Sequence, residues 1–176
     1  ERGLEVGRIK FIGLVEEAAA FFRAEAIAGA DPRLVAISLG MEDFARSVGM
    51  VSTPETLLYP KQHIVFAARA ANIRPMGFIG SIADFRDMDA FRLIVRRSKQ
   101  FGFRGASCIH PNQVTVCNEE FGPTDDDVAQ AKRIVEAYDK ALAAGVGAIQ
   151  VDGIMVDVPV ADAAREVLEL AEALAR

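Results

Sequence analysis

Two acids, Glu16 and Asp43, each follow an apolar run, and that placement can do chemistry. If the runs at residues 9–15 and 34–39 are neighbouring parallel strands, both carboxylates project from the carboxyl edge of one sheet, where α/β proteins bind ligands. Two carboxylates brought within about 4–5 Å of each other repel unless a cation or proton is shared. A hard divalent ion removes that repulsion, and Mg2+ takes one or two carboxylates while keeping waters that a substrate can displace. The same acids also read as helix N-terminal charges worth ~0.3–1 kcal/mol each. Spacing alone leaves both readings open.

Around the second acid the chain reads Gly40-Met41-Glu42-Asp43. The glycine permits a tight turn, and the backbone N–H groups of Met41, Glu42 and Asp43 then stand unpaired at a helix start, where a carboxylate binds well. An ordinary βα turn accounts for the same residues. His110, at the end of an apolar run, has the chemistry of an acid, base or ligand, and equally that of a hydrogen-bonded structural residue; His63 lies in a helical pattern and reads as structural. Asp157, in Asp152-Gly153-Ile154-Met155-Val156-Asp157-Val158-Pro159, is a helix-capping acid or an acid carried on a lid.

The elements that must position these residues alternate. Apolar runs at 9–15, 34–39, 76–79 and 102–109 read as strands of a covered parallel sheet. Between them lie helical patterns at 18–28, from Ser52-Thr53-Pro54-Glu55 onward with a disturbance at Pro60, and after Asp87, which reads as a cap. Thr124 followed by three Asp residues marks a further helix, ended by Gly145 and Gly147. Residues 149–157 read as a short extended or turn segment, and a last amphipathic helix runs from about Val160 to Leu174. Four β–α units with right-handed crossovers make either a small open sheet or half of a (βα)8 barrel, which takes ~250 residues.

Composition narrows the function classes. The 176 residues are 51% hydrophobic and 26% charged, which are globular proportions. Lys plus Arg is 20 against 25 for Asp plus Glu, with no basic block, so nucleic acid is not an expected partner. No apolar run approaches the ~20 residues of a membrane helix, and no signal peptide is expected. Two cysteines, Cys108 and Cys117, read as buried free thiols and favour a reducing, cytoplasmic setting. A chain that opens at Glu1 rather than Met reads as part of a longer gene product.

Taken together, five segments resemble the citrate lyase β-subunit family of the HpcH/HpaI aldolase superfamily. They are Leu14-Val15-Glu16, Leu39-Gly40-Met41-Glu42-Asp43-Phe44, the stretch from Gly102 through Ile109-His110-Pro111-Asn112-Gln113-Val114, Phe121-Gly122-Pro123-Thr124, and the segment ending at Asp157-Val158-Pro159. They occur in the family's order and span nearly the whole chain. The resemblance implies a (βα)8 TIM barrel with a C-terminal helical lid, often trimeric. Here it implies strands five to eight over residues 1–122 and the lid over residues 123–176, with the N-terminal half outside this sequence. It implies a Mg2+-dependent carbon–carbon lyase that cleaves or forms a 3-hydroxyacyl thioester of coenzyme A or an acyl-carrier protein, with a 2-oxo acid as the other product. Carried over by position, Glu16 and Asp43 match the metal ligands, the amides of Met41, Glu42 and Asp43 match the carboxylate cradle, and Asp157 matches an acid/base residue acting on a neighbouring subunit's site. His110 and Pro111 match a signature loop without a chemical step. The chain departs from the family where an Asp is usual after the seventh strand: it reads Pro75-Met76-Gly77-Phe78-Ile79-Gly80-Ser81, with an insertion before Asp84. An aldolase acting on free pyruvate and an aldehyde is an alternative, as is a half-barrel subunit or fragment with no activity of its own.

Overall fold

A computed structural model describes residues 3–80 and 87–175 of the chain. It divides into two compact units, Glu1–Phe121 and Gly122–Arg176. The insertion expected before Asp84 lies outside the described residues.

The first unit begins with β1 (Phe11–Val15), α1 (Ala18–Phe21), α2 (Ala24–Ala28), β2 (Leu34–Leu39), α3 (Met41–Val48), α4 (Leu58–Ala70) and β3 (Arg74–Met76). The strands form one parallel sheet in the order β1-β2-β3. Alternation along the strands sends Val15, Ile37 and Leu39 to one face, where Phe21, Ala24 and Ala28 of the first two helices and Ile64, Ala67 and Ala68 of α4 close a core. The other face is open at β1, where Ile12 and Leu14 are 55% and 57% exposed. The helical pattern expected over residues 18–28 is broken at Phe22 and Arg23, and Phe21 and Ala24, on either side of the break, are both buried. α4 starts at Leu58, so Pro60 falls in its first turn, where a missing N–H costs nothing.

α5 (Met88–Gln100) and α6 (Pro111–Phe121) complete this unit. Asp87 caps α5 by accepting a hydrogen bond from the Ala90 amide at 2.9 Å, as the sequence predicts. Phe78, Phe91, Val95, Phe103, Val116 and Phe121 build a second core. Arg92 bridges Glu119 and Glu120, and Arg96 bridges Glu120 at 2.7 Å, tying α5 to α6. The fourth strand expected at residues 102–109 is not a strand. Gly102, at φ 98°, turns the chain out of the extended region, and the segment meets β3 through the Arg104 N–H to the Pro75 carbonyl and, just past the end of β3, the Gly77 N–H to the Gly105 carbonyl. The side chain of Phe103 is committed to the second core instead. The strand expected at residues 76–79 is displaced, ending at Met76 before Gly77.

The second unit holds α7 (Asp125–Ala143), β4 (Ile149–Val151), β5 (Ile154–Val156) and α8 (Val158–Leu174). Thr124 and Asp127 form a capping box at the head of α7. β4 and β5 pair antiparallel around Asp152 and Gly153, both at positive φ, the backbone that a two-residue hairpin loop requires. Tyr138, Val156, Ala161 and Ala164 are buried in this unit's own core.

Candidate functional site

Register places the first acid. Val15 pairs with Leu39, so the next residues on each strand, Glu16 and Gly40, leave the sheet side by side at its carboxyl edge. The Gly40 N–H donates to the Val15 carbonyl at 2.9 Å and locks that arrangement. The Glu16 carboxylate lies against Gly40 so closely that a Cβ there would stand 2.5 Å from Cγ and 2.8 Å from Oε1. With φ −79°, Gly40 has ordinary backbone, and a Cβ there would displace the Glu16 side chain.

Asp43 lies in the first turn of the helix that Gly40 opens. Its Oδ1 accepts from Arg46 at 2.6 Å, an exposed pair one turn apart. Gly40 has no side chain to cap the helix, which leaves the amides of Met41, Glu42 and Asp43 as the orphan donors of a helix head. Met41 packs against the first core, while Glu42 accepts from the Ser52 hydroxyl at 2.9 Å. Glu16, Met41, Glu42 and Asp43 thus gather where β1 and β2 end. Among the described residues no group of three or more His, Cys, Asp and Glu side chains gathers to hold a metal. Two carboxylates would leave most positions of a magnesium ion to water and substrate, as that ion ordinarily prefers.

One residue of this edge escaped the sequence reading. Lys61 is only 3% exposed although it carries a charge. It occupies the core slot of α4 one turn before Ile64 and Val65, and its Nζ donates to the Gly80 carbonyl at 3.1 Å. Burial pushes its ammonium down to about 8 against the attraction of Glu42. The available signal was a lysine on an otherwise apolar stripe at i, i+3, i+4 spacing. With Met41, Glu42, Ser52, Thr53 and Gly80 it lines a cavity of about 60 Å3.

Asp157 belongs to the second unit. It is the N-cap of α8, where its Oδ1 accepts from the Val160 amide at 3.3 Å. His110 stands just before α6, with Nδ1 accepting from the Asn112 amide at 3.2 Å. The buried Gln113 side chain accepts from the amides of Ile109 and His110, so this loop is held from inside the helix that follows it. His63 packs against Phe21 with ring centroids 4.4 Å apart and the rings tilted by 41°.

A parallel βα sheet whose carboxyl edge carries two acids beside a helix head without a side-chain cap defines an α/β protein with acids at the edge where such folds bind ligands. The HpcH/HpaI aldolase/citrate lyase family profile matches residues 1–111, and the chain belongs to that family. It is 38% identical to the citrate lyase subunit beta of Haemophilus influenzae over 97% of its own length and 58% of that protein. It is 37% identical to the L-malyl-CoA/beta-methylmalyl-CoA lyase of Rhodobacter capsulatus, covering 86% of this chain and 53% of the relative. The chain therefore spans little more than half the length of these relatives. Among solved structures it resembles the protein CitE of Mycobacterium tuberculosis in complex with magnesium, acetoacetate and coenzyme A. There the identity is 28% and the TM-score 0.73, covering 93% of this chain and 61% of that one.

Proposed function

We propose that this chain is the carboxyl-side part of a Mg2+-dependent carbon–carbon lyase that cleaves or forms a 3-hydroxyacyl thioester, with a 2-oxo acid as the second product. The observation that carries this reading is the seat of the Glu16 carboxylate on Gly40, at the head of the helix whose first turn holds Asp43. Relatives named citrate lyase subunit beta and L-malyl-CoA/beta-methylmalyl-CoA lyase support the reaction class, and a structural relative bound to magnesium and coenzyme A supports the metal and the thioester.

Glu16 and Asp43 would hold the magnesium ion, which supplies Lewis-acid polarisation of the substrate's oxygens when bound. The amides of Met41, Glu42 and Asp43 receive the carboxylate of the 2-oxo acid, placing fixed positive dipoles where its charge resides. In this proposal Asp157 moves the proton at the α-carbon of the acyl thioester, acting on the site of a neighbouring copy in a trimer.

The open face of β1 supports a further part of the reading. Parallel sheets are ordinarily covered on both faces, and here the face carrying Ile12 and Leu14 is exposed. More βα units closing a (βα)8 barrel would cover it, with the first unit supplying the later strands and the second acting as a lid.

The test uses the longest natural form of the chain, supplied with Mg2+ and, in turn, citryl-, malyl- and citramalyl-CoA. Release of a 2-oxo acid that disappears in Glu16→Gln and Asp43→Asn supports the lyase. Turnover of free pyruvate with an aldehyde, and none of thioesters, would replace it with the aldolase reading.

A further inference from the structure

We propose that Lys61 lends positive potential to the cavity it shares with the first turn of α3, the turn that receives the 2-oxo acid in the reading above, on which this inference rests. Three segments of the chain lie around its ammonium. The side chain rises from the head of α4, and Nζ donates to the carbonyls of Gly80 at 3.1 Å and Ile79 at 3.5 Å in the segment after β3. Its charge faces Glu42 on α3, whose carboxylate is in turn held by the Ser52 hydroxyl at 2.9 Å.

A buried cation is costly unless its surroundings repay the loss of water. Two carbonyls and one carboxylate repay it only partly, because burial still outweighs Glu42 and lowers the proton affinity of Lys61. An apolar side chain would fill that slot of α4 at lower cost, beside Ile64 and Val65. What the charge gains is a place beside the first turn of α3, where Met41 and Glu42 lie. The ammonium also lines the cavity that these residues share, so it lends positive potential to the same rim. Among the described residues Glu42 is the charged group that acts on Lys61, and the chain after β3 presents it with carbonyl oxygens.

The experiment titrates glyoxylate calorimetrically into the longest natural form of the protein at saturating Mg2+, between about pH 7 and about pH 9.5. Mn2+ affinity is measured separately by electron paramagnetic resonance. Lys61→Met should weaken glyoxylate binding about tenfold, as expected for a lost charged hydrogen-bonding group, and leave Mn2+ affinity within about twofold. Lys61→Arg should keep glyoxylate affinity. Affinity in the wild type should fall as pH rises through about 8, and Lys61→Arg should abolish that fall because a guanidinium stays charged. If Lys61→Met does not fold, the Arg variant's pH profile decides alone. Undiminished binding in Lys61→Met, or the same alkaline fall in Lys61→Arg, overturns the assignment of Lys61 and leaves the lyase reading intact. A wild-type protein that binds neither glyoxylate nor Mn2+ overturns the site itself.

Discussion

At the residue scale, the contact between Glu16 and Gly40 makes the sharpest prediction. Gly40 has an ordinary negative φ, so alanine costs no backbone strain there. Its Cβ would nevertheless fall 2.8 Å from Oε1 of Glu16, and that carboxylate must move. Gly40→Ala should therefore lower Mg2+ or Mn2+ affinity by about tenfold or more while the melting temperature stays near that of the wild type. A large drop in melting temperature would show instead that the glycine is structural. Asp157 allows its two roles to be separated, because asparagine caps a helix as well as aspartate does. Asp157→Asn should keep the cap on α8 and metal affinity but lose turnover. Asp157→Ala should in addition cost about 1 kcal/mol of stability, measured by urea unfolding. If Asp157→Asn turns over normally, the residue is a cap and nothing more.

At the element scale, the ion pairs between α5 and α6 set a pH dependence. Arg96, and after it Arg92, hold the Glu120 carboxyl below its ordinary value of 4.5. The folded chain thus stays ionised where the unfolded chain takes up a proton. The stability this gives is complete above about 4.5 and is lost as pH falls through the folded value. Glu120→Gln should lower the melting temperature by about 4 °C at neutral pH and flatten its decline in acid. Equal acid slopes in the two proteins would rule this out. Elements announced by local chemistry were legible in the sequence: the caps at Asp87 and Thr124, the apolar runs of β1 and β2, and the amphipathic stripe of α7. The acids at the sheet edge were legible for the same reason, since a strand end followed by an acid is a local pattern. Other features depended on distant partners and were not. Phe103 leaves the expected fourth strand to enter a core built by α5 and α6, and Lys61 is buried only because the chain after β3 returns to meet it. Residues 149–157 read only as a short extended or turn segment and not as the hairpin they form, because two strands of three residues each carry little periodicity.

At the scale of the whole molecule, the exposed face and edge of β1 govern behaviour in solution. Ile12 and Leu14 present apolar surface beside unpaired backbone groups, a template for association with another chain. The 176-residue chain alone should self-associate in light scattering, and Ile12→Lys should reduce that association. A strictly monomeric wild type would show that this surface needs no cover. No helix among the described residues is long and apolar enough to cross a membrane. The buried lysine at the head of α4 has a last consequence, for endurance in base. From about 8 up to its ordinary 10.5 the native chain has shed a proton that the denatured chain still binds. Raising the pH through that interval tilts the equilibrium toward the native form at this side chain, so alkali relieves a penalty that neutral solution imposes.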